Sequence, residues 1–239
     1  MKLCMIGTGY VGLVSGVCFS DLGNTVYCAD NNKNKIDHLN DGKVPIYEPG
    51  LEEILKKNYK EKRLIFTTDL KKAVLNSDII FICVGTPTLK NSDSADLKYV
   101  YNAVKQLKKI ISRYKIIVTK STVPVCTGDK IEKILSNLIN KNLVDVVSNP
   151  EFLREGEAVR DFVHPDRVII GTNSKKANKI MNALYAPIVK KTSRYYSTSR
   201  RGAELIKYAS NAFLATKITY INELANLCEK TGVDIKDIS

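Results

Sequence analysis

Short apolar runs alternate with stretches of helical periodicity along most of the chain. The runs are rich in β-branched residues and stay apolar at consecutive positions, which is typical of strands buried on both faces of a parallel sheet. They predict seven strands, at Lys2–Ile6, Thr25–Ala29, Ile65–Thr67, Ile79–Val84, Ile116–Thr119, Asp145–Ser148 and Val168–Gly171. The stretches between them predict seven helices, near Val11–Leu22, Lys33–Asn40, Leu51–Asn58, Leu70–Leu75, Leu97–Ile111, Gly128–Asn140 and Lys175–Tyr185. This alternation predicts an α/β fold with a doubly wound, mostly parallel sheet.

A different pattern begins near Arg200. Residues 202–231 contain no proline and no internal glycine, and their apolar side chains recur at helical spacing until Gly232, a helix terminator. The resulting helix of about thirty residues far exceeds the average of about 12, and such a helix often bridges two domains. We therefore expect a first domain over residues 1–199 and a long central helix segment over residues 200–239. Only seven residues follow Gly232, which suggests a chain truncated before a second domain.

The charge of the chain excludes few functions. It carries 37 Lys and Arg against 25 Asp and Glu, a net charge of +12, with the lysines spread along its length. No zinc spacing, helix-turn-helix signature or aromatic-rich basic motif accompanies them, so we expect a solvated lysine-rich surface and no nucleic-acid partner. The alternative is a field that attracts small anions. The longest apolar run, about seven residues, is far short of the ~20 that a membrane helix needs, so we expect no membrane partner.

The six cysteines include no Cys-x-x-Cys pair. Cys4, Cys28 and Cys83 lie in apolar runs, where a free thiol acts as a small hydrophobic side chain. We therefore expect a reduced, cytoplasmic protein. His38 and His164 stand apart in the sequence from other residues of ligand type, so we expect no metal site.

The clearest local motif is Gly7-Thr8-Gly9-Tyr10-Val11-Gly12, placed between the first predicted strand and an apolar helix. Gly7 permits a tight turn, Gly9 lets a pyrophosphate approach the backbone, and Gly12 lets the helix pack against the strand. Asp30 ends the next strand eighteen residues after Gly12, where a carboxylate accepts from adenosine ribose hydroxyls. A carboxylate there also repels a 2′-phosphate. The motif predicts a Rossmann-like domain that binds NAD in preference to NADP.

Three further polar motifs follow predicted strands, at Val84–Pro87, Lys120–Pro124 and Ser148–Phe152. Each proline has a structural explanation, because it ends a strand and fixes the chain direction. All three motifs nevertheless lie at the carboxyl edge of one predicted sheet, where such folds bind ligands. Glu151 and Glu155 would share a face if their segment is helical, and beside a nicotinamide they would suit a general base and a ring anchor.

Lys207 and Asn211 are four residues apart in the predicted long helix. One interpretation is an exposed polar stripe, since Glu204 and Ser210 lie nearby. The other is a cation and an amide directed together into a cleft. There the lysine would stabilise a developing alkoxide, and both side chains would orient a substrate hydroxyl or water. The sequence alone leaves both interpretations open.

These stretches together resemble the UDP-glucose/GDP-mannose dehydrogenase family over essentially the whole chain, from Met1 to Ser239. The residues that carry the resemblance are Gly7–Gly12, Pro45–Leu51, Val84–Pro87, Lys120–Pro124, Asn149–Gly156 and Lys207–Ala215. Gly156 and the run from Asp161 to Val168 resemble the UDP-glucose branch of the family. The GDP-mannose branch carries serine at the position of Gly156 and lacks the Pro-Asp-Arg-Val run.

The resemblance implies an NAD-dependent enzyme of polysaccharide biosynthesis that oxidises UDP-glucose twice, to UDP-glucuronate. Residues similar to those that hold NAD in the family are Gly7, Gly9, Tyr10, Val11, Gly12, Asp30, Lys35, Thr86, Thr122 and Glu155. Residues similar to those that hold the UDP-sugar are Glu151, Phe152, Leu153, Arg154, Lys207 and Asn211. The long helix, over residues 200–232, would form the core of a homodimer.

The resemblance also implies the roles of four catalytic residues. A hydride leaves C6 of the sugar, a cysteine captures the aldehyde, and a second hydride transfer gives a thioester that water hydrolyses. Glu151 would assist the hydrolysis as acid and base, and Lys207 would stabilise the oxyanion. Thr122 and Asn211, with Lys207, would hold the network of water or hydroxyl groups.

The chain departs from the family at the nucleophile. In the family that cysteine lies beyond the long helix in a Gly-Gly-Ser-Cys-type loop, and none of the six cysteines here occupies such a loop. The uridine-facing domain is also missing, so we expect an N-terminal portion of the enzyme that is inactive on its own. The alternatives are a dehydrogenase of another nucleotide sugar, such as GDP-mannose or UDP-N-acetylmannosamine, and a non-catalytic NAD-binding dimerisation module.

Overall fold

The computed structural model describes residues 1–189 and 194–238. Its strands are β1 (Lys2–Ile6), β2 (Thr25–Ala29), β3 (Leu64–Thr67), β4 (Ile79–Ile82), β5 (Lys115–Thr119), β6 (Val144–Ser148), β7 (Arg167–Gly171) and β8 (Arg194–Thr198). Its helices are α1 (Tyr10–Asp21), α2 (Lys33–Asn40), α3 (Leu51–Lys60), α4 (Leu70–Leu75), α5 (Lys98–Ile110), α6 (Thr127–Ile134), α7 (Ser136–Ile139), α8 (Ala158–Val163), α9 (Lys175–Tyr185) and α10 (Arg200–Thr231). Ser239, the last position of the expected long-helix segment, lies outside the described residues.

The eight strands form a single sheet in the order β3-β2-β1-β4-β5-β6-β7-β8. Neighbouring strands are parallel from β3 to β6 and again between β7 and β8, and only β6 and β7 pair antiparallel. The predicted doubly wound, mostly parallel sheet is confirmed. The strand order reverses between β1 and β4, and ligands of such sheets bind in the crevice at that point.

Apolar side chains cover the sheet on both faces, which explains why the strands are apolar at consecutive positions. Along β1, Leu3 and Met5 join one buried cluster, whereas Cys4 and Ile6 join the other. Successive side chains of a strand point to opposite faces, so the two clusters lie on opposite sides of the sheet. All four residues of β4 are buried.

Two short elements have no clear signal in the sequence pattern. The edge strand β8 carries exposed polar positions and no fully buried residue. It therefore lacks the apolar run that predicts the other strands. Helix α8 has six residues, too few to establish a 3.6-residue period.

The helix expected over Gly128–Asn140 is divided, so that prediction was wrong in its extent. Leu135 separates α6 from α7, with φ −92° and ψ 6°. Its side chain is fully buried in an apolar cluster. The helix is thus interrupted at Leu135, the residue whose side chain is buried.

Helix α10 crosses the sheet close to β7. A Cβ added to Gly171 would lie 2.6 Å from the Cβ of Ala203, so only glycine permits this approach. The Ser199 side chain accepts from the Gly202 N–H and caps the start of the helix, and Gly232, at φ +72°, ends it. The first two turns therefore pack against β7 and the end of β6, where the Ser148 hydroxyl donates to Glu204, while the side chains of the later turns are mostly exposed.

Candidate functional site

The glycine motif forms the turn between β1 and α1 as the sequence predicts. Gly7 has φ +97°, and a Cβ there would lie 2.9 Å from the Cys83 carbonyl oxygen. A Cβ on Gly12 would lie 1.9 Å from the Gly7 carbonyl oxygen, so neither position accepts a side chain without a shift. Gly9 is the N-cap of α1 and has no side chain with which to cap the helix. The first N–H groups of a helix have no partner within the helix, and a Cβ on Gly9 would meet no atom within 4 Å, so there is space beside the start of α1.

Asp30 lies at the end of β2, beside the glycine turn. Its Oδ2 accepts from the N–H and the hydroxyl of Thr8, both at 2.8 Å, and its Oδ1 accepts from the Asn32 N–H at 3.0 Å. Lys35 Nζ is 3.3 Å from Oδ2. Partial burial would raise the pKa of Asp30, but these hydrogen bonds and the Lys35 charge outweigh it and lower that pKa. The carboxylate is thus an ionised acceptor with capacity left on Oδ1.

The loops after β4 and β5 are bonded to each other at the same edge. The Thr86 hydroxyl donates to the Thr122 carbonyl at 2.9 Å, and the Ser121 hydroxyl donates to the Val84 carbonyl at 2.6 Å. The Asn149 N–H donates to the Thr119 carbonyl at 2.9 Å, which adds the loop after β6. The structure therefore brings the three proline motifs together, as their positions after parallel strands predict.

Glu151 and Lys207 form an ion pair that joins the loop after β6 to α10. Lys207 Nζ lies 3.0 Å from Glu151 Oε1, and the two side chains are 9% and 12% exposed, respectively. Two charges so far removed from water are stable only because each compensates the other. The Phe152 ring lies near two cations, with its centroid 5.3 Å from Lys207 Nζ and 4.5 Å from the Arg167 guanidinium. Burial of Lys207 contradicts an exposed position for this side chain, whereas its role in the chemistry stays a prediction.

Asn211 and Glu155 are placed differently from that pair. Residues 151–154 are not helical. Glu151 and Glu155 therefore do not share the helix face that a helical segment would have given them. Instead Glu151 Oε2 accepts from the Leu153 N–H at 2.6 Å. Asn211 and Glu155 are both exposed. Both side chains therefore lie outside the buried pair, and their roles stay predictions.

Arg154 is oriented by Asp161 of α8. Its Nε and Nη2 donate to the Asp161 carboxylate at 3.0 and 2.6 Å, and its main-chain N–H donates to the same group at 3.0 Å. This bidentate contact fixes the last residue of the Glu151–Arg154 segment.

A cleft of about 320 Å³ lies beside the Glu151–Lys207 pair, and its lining includes Phe152, Arg154, Arg167 and Lys120. Lys120 is 4% exposed, and its Nζ lies 3.4 Å from both Asn149 Oδ1 and the Tyr185 hydroxyl. Burial lowers the pKa of Lys120. The described lining of the cleft therefore combines three cations, Lys120, Arg154 and Arg167, with three carboxylates, Glu151, Asp161 and Asp166, which suits a polar ligand.

Sequence reasoning assigned no role to Lys120, Tyr185 or Glu48. Lys120 directly follows the apolar run of β5, and a cation at the carboxyl end of a strand is a signal that identifies it. Tyr185 and Glu48 offer no such signal, because their partners lie 36 or more residues away in the sequence.

The cysteines lie apart from this chemistry. Burial raises the pKa of the Cys83 and Cys18 thiols to about 12 and raises the pKa of Cys4 and Cys28 as well. No cysteine is among the described residues that line the cleft. The described ranges also contain no group of three His, Cys, Asp or Glu side chains arranged to hold a metal. Within the same ranges, every helix is too short or too polar to span a membrane.

Comparison with known families gives two matches along the chain. The NAD binding domain of the UDP-glucose/GDP-mannose dehydrogenase family matches residues 1–189, and the central domain of that family matches residues 201–239. The first match includes the glycine turn, Asp30 and the Glu151 loop. The second begins within the first turn of α10.

Curated relatives and solved structures agree with these matches. UDP-glucose 6-dehydrogenases from Rhizobium meliloti (strain 1021) and Bacillus subtilis (strain 168) are 50% and 48% identical to 100% of this chain, which covers 55% and 51% of their own lengths. The chain thus spans about half the length of these relatives. A GDP-mannose dehydrogenase from Pseudomonas aeruginosa superposes with a TM-score of 0.94 at 36% identity, covering 100% of this chain and 55% of that one. A UDP-glucose dehydrogenase from Pyrobaculum islandicum gives 0.92 at 39% identity, covering 99% and 55%.

Proposed function

Since the chain belongs to the UDP-glucose/GDP-mannose dehydrogenase family, we propose that it supplies the cofactor domain and part of the substrate site for the two-step oxidation of UDP-glucose to UDP-glucuronate. One observation carries this proposal: the Glu151–Lys207 pair is 3.0 Å apart and almost buried. It lies at the same sheet edge as the glycine turn. A domain that only bound NAD or formed dimers would have no need of a buried acid–base pair there.

The residues around the glycine turn fit NAD, whose nicotinamide accepts a hydride when the cofactor is bound. In this assignment the Gly7–Gly12 turn holds the pyrophosphate through the N–H groups of Tyr10 and Val11. The open space at Gly9 leaves room for it. Asp30 accepts from the adenosine ribose with the free capacity of Oδ1, and Lys35, 3.3 Å from Oδ2, fixes the carboxylate.

Thr86, Thr122 and Glu155 form the other wall of the cofactor site in this proposal. The Thr86–Thr122 hydrogen bond sets the separation of the two loops, and Glu155 is exposed one residue beyond Arg154. The contact with Thr86 uses the Thr122 carbonyl and not its hydroxyl. That hydroxyl can then orient water or a substrate hydroxyl.

The chain's own groups move protons and stabilise charge at the sugar. Glu151 takes up and returns a proton during hydrolysis, and Lys207 stabilises the oxyanion with a cation that is already largely removed from water. Asn211 lies one helical turn beyond Lys207 and completes the set of donors from α10. The Phe152, Leu153 and Arg154 segment lines the sugar, with Arg154 held by Asp161.

GDP-mannose is the second candidate substrate, because the GDP-mannose dehydrogenase of Pseudomonas aeruginosa superposes with the TM-score of 0.94. Two observations favour UDP-glucose. The relatives at 50% and 48% identity are UDP-glucose 6-dehydrogenases. Gly156 has φ +86°, a left-handed conformation in which serine, the residue of the GDP-mannose branch, is strained.

A hybrid enzyme tests this proposal. We would join this chain to the second half of the Rhizobium meliloti relative and measure NADH with UDP-glucose, GDP-mannose and UDP-N-acetylmannosamine. We expect two NADH per UDP-glucose and none with the other sugars. Glu151→Gln in the hybrid should lower kcat by about 10²- to 10⁴-fold, which is the usual contribution of a general acid or base. NADH from GDP-mannose but not from UDP-glucose would contradict the substrate assignment.

Further features belong to the same proposal. We place the domain boundary between residues 199 and 200, where the Ser199 cap starts α10. We place the protein in a reducing cytoplasm, which suits the buried thiols of β1, β2 and the chain after β4. We also propose that its product is used in polysaccharide biosynthesis. We also infer a homodimer through α10, because Phe213, Leu214 and Ile218 are 68%, 57% and 52% exposed.

A further inference from the structure

A buried carboxylate outside the proposed chemistry connects two parts of the site. Glu48 lies in the loop between α2 and α3, and it is only 7% exposed. It lies neither at the carboxyl end of a strand nor within the cofactor turn. An ionised carboxylate is costly to bury unless several donors compensate it, so the identity of those donors indicates what the residue does.

The donors to Glu48 come from two segments that are far apart in the sequence. From the cofactor turn, the Tyr10 hydroxyl donates to Oε2 at 2.6 Å. From the segment after Arg154, the Gly156 N–H donates to Oε2 at 3.0 Å, while the N–H groups of Ala158 and Val159 donate to Oε1 at 2.6 and 3.3 Å. One carboxylate therefore bonds to both segments at once.

The Tyr10 hydroxyl strengthens this connection. It also lies 3.0 Å from the Arg154 carbonyl oxygen, so the phenol touches the Glu151–Arg154 segment directly. Burial and the hydrogen bond to Glu48 raise the pKa of Tyr10, and the phenol therefore keeps its proton and remains a donor. The Tyr10 main-chain N–H belongs to the cofactor turn, while its side chain belongs to the substrate segment.

We propose that Glu48 is a positioning residue that couples the cofactor turn to residues 153–159 through Tyr10. Binding of NAD at the Gly7–Gly12 turn then orders the segment that follows Glu151, and loss of that order weakens NAD binding in return, since such coupling is reciprocal. The inference rests on the proposed function only in assigning NAD to the glycine turn.

Hydrogen exchange with and without NAD tests the coupling in the 239-residue chain. Tyr10→Phe removes the hydroxyl but keeps the ring and the main-chain N–H. In the parent we expect NAD to slow exchange in residues 7–13 and in residues 153–159. In Tyr10→Phe we expect the slowing at 7–13 to remain and the slowing at 153–159 to disappear. Tyr99→Phe, at an exposed tyrosine of α5 outside this network, should behave as the parent.

NAD affinity gives a second readout that a merely structural role would not produce. Tyr10→Phe and Glu48→Gln should each weaken NAD binding about three- to tenfold, and the double variant should weaken it no further, because both changes break one connection. Additive losses would overturn the coupling.

The exchange experiment separates failure of this inference from failure of the proposed function. Slowing confined to residues 7–13 in the parent, or slowing at 153–159 that survives in Tyr10→Phe, overturns the coupling and leaves the cofactor assignment standing. Absence of slowing anywhere on adding NAD overturns both.

Discussion

Asp30, Glu151 and Lys207 are charged side chains held partly or largely out of water, and specific partners compensate each of them. Glu151 and Lys207 compensate each other, whereas Asp30 is compensated by three backbone or hydroxyl donors and by Lys35. Asp30 therefore stays ionised without depending on a ligand. This arrangement makes it an acceptor of fixed position, as the proposed contact with the adenosine ribose requires.

Removing Asp30 should weaken NAD binding. Asp30→Ala deletes a charged hydrogen-bond acceptor, which costs ~1.5–3 kcal/mol, or roughly ten- to a hundredfold in affinity. Calorimetric titration with NAD and NADP measures this effect. Asp37→Ala is the matched control, because Asp37 is an exposed carboxylate that pairs with Lys33 on α2. Equal NAD affinity of Asp30→Ala and the parent would remove Asp30 from the cofactor site.

Residues of the site differ in how far the sequence predicts them. The glycines and Asp30 follow from local spacing, because the turn and the strand after it are encoded within about thirty residues. The contact of Glu151 with Lys207 joins positions 56 residues apart, and only the family resemblance suggested that both serve one site. The Tyr10–Glu48 bond has no local signal, since it depends on how the start of α1 packs against the loop after α2.

At the scale of elements, α10 is the most unusual feature of the chain. Its first turns bury Arg200, Ala203, Glu204 and Lys207 against the sheet edge. Glu204 accepts from the N–H groups of Cys126 and Gly128, at 2.8 and 2.7 Å, and so anchors the helix to the start of α6. The later turns expose large apolar side chains, which is costly in water unless another surface covers them.

We predict that α10 mediates dimerisation. Light scattering at tens of micromolar should give twice the 26.7 kDa mass of one chain. Leu214→Glu should shift the population to monomer, because it places a charge within apolar surface worth about 1.5–3 kcal/mol per large side chain. Lys217→Glu, at a polar position of the same helix, should remain dimeric. A monodisperse monomer for the parent would contradict the prediction.

The pattern of apolar positions predicts some strands and helices correctly and misses others. The long strands and α10 are readily predicted, because their periodicities extend over enough residues to be distinguished. Strand β8 could not be predicted from apolar positions. It lies at the edge of the sheet, pairs with β7 and has no buried residue. The antiparallel pairing of β6 and β7 also depends on tertiary packing, with a single residue pair, Ser148 and Gly171, in register.

At the scale of the whole molecule, the sheet order explains why residues from distant parts of the chain share one site. The reversal between β1 and β4 opens a crevice at the glycine turn. The loops after β4, β5 and β6 follow along the same edge, and α10 brings Lys207 back to it. The glycine turn, the three loops and the Glu151–Lys207 pair therefore lie along one edge of the sheet, as the proposed function requires.

We expect the same geometry to limit what this chain does by itself in the proposed reaction. Oxidation of the aldehyde needs a thiolate that forms a covalent adduct with it, because the free aldehyde is a poor donor of the second hydride. Four of the six thiols are buried with raised pKa values, and no cysteine lines the cleft among the described residues. The chain should therefore bind NAD without completing the oxidation.

The most direct test is the absorbance of NADH after the 239-residue chain is mixed with saturating NAD and UDP-glucose, with NAD binding verified by calorimetry in the same preparation. We expect NAD to bind and fewer than two NADH to form per UDP-glucose, because the second oxidation lacks its thiolate. Two NADH per UDP-glucose would contradict this expectation, and one of the six cysteines present would then have to be the nucleophile.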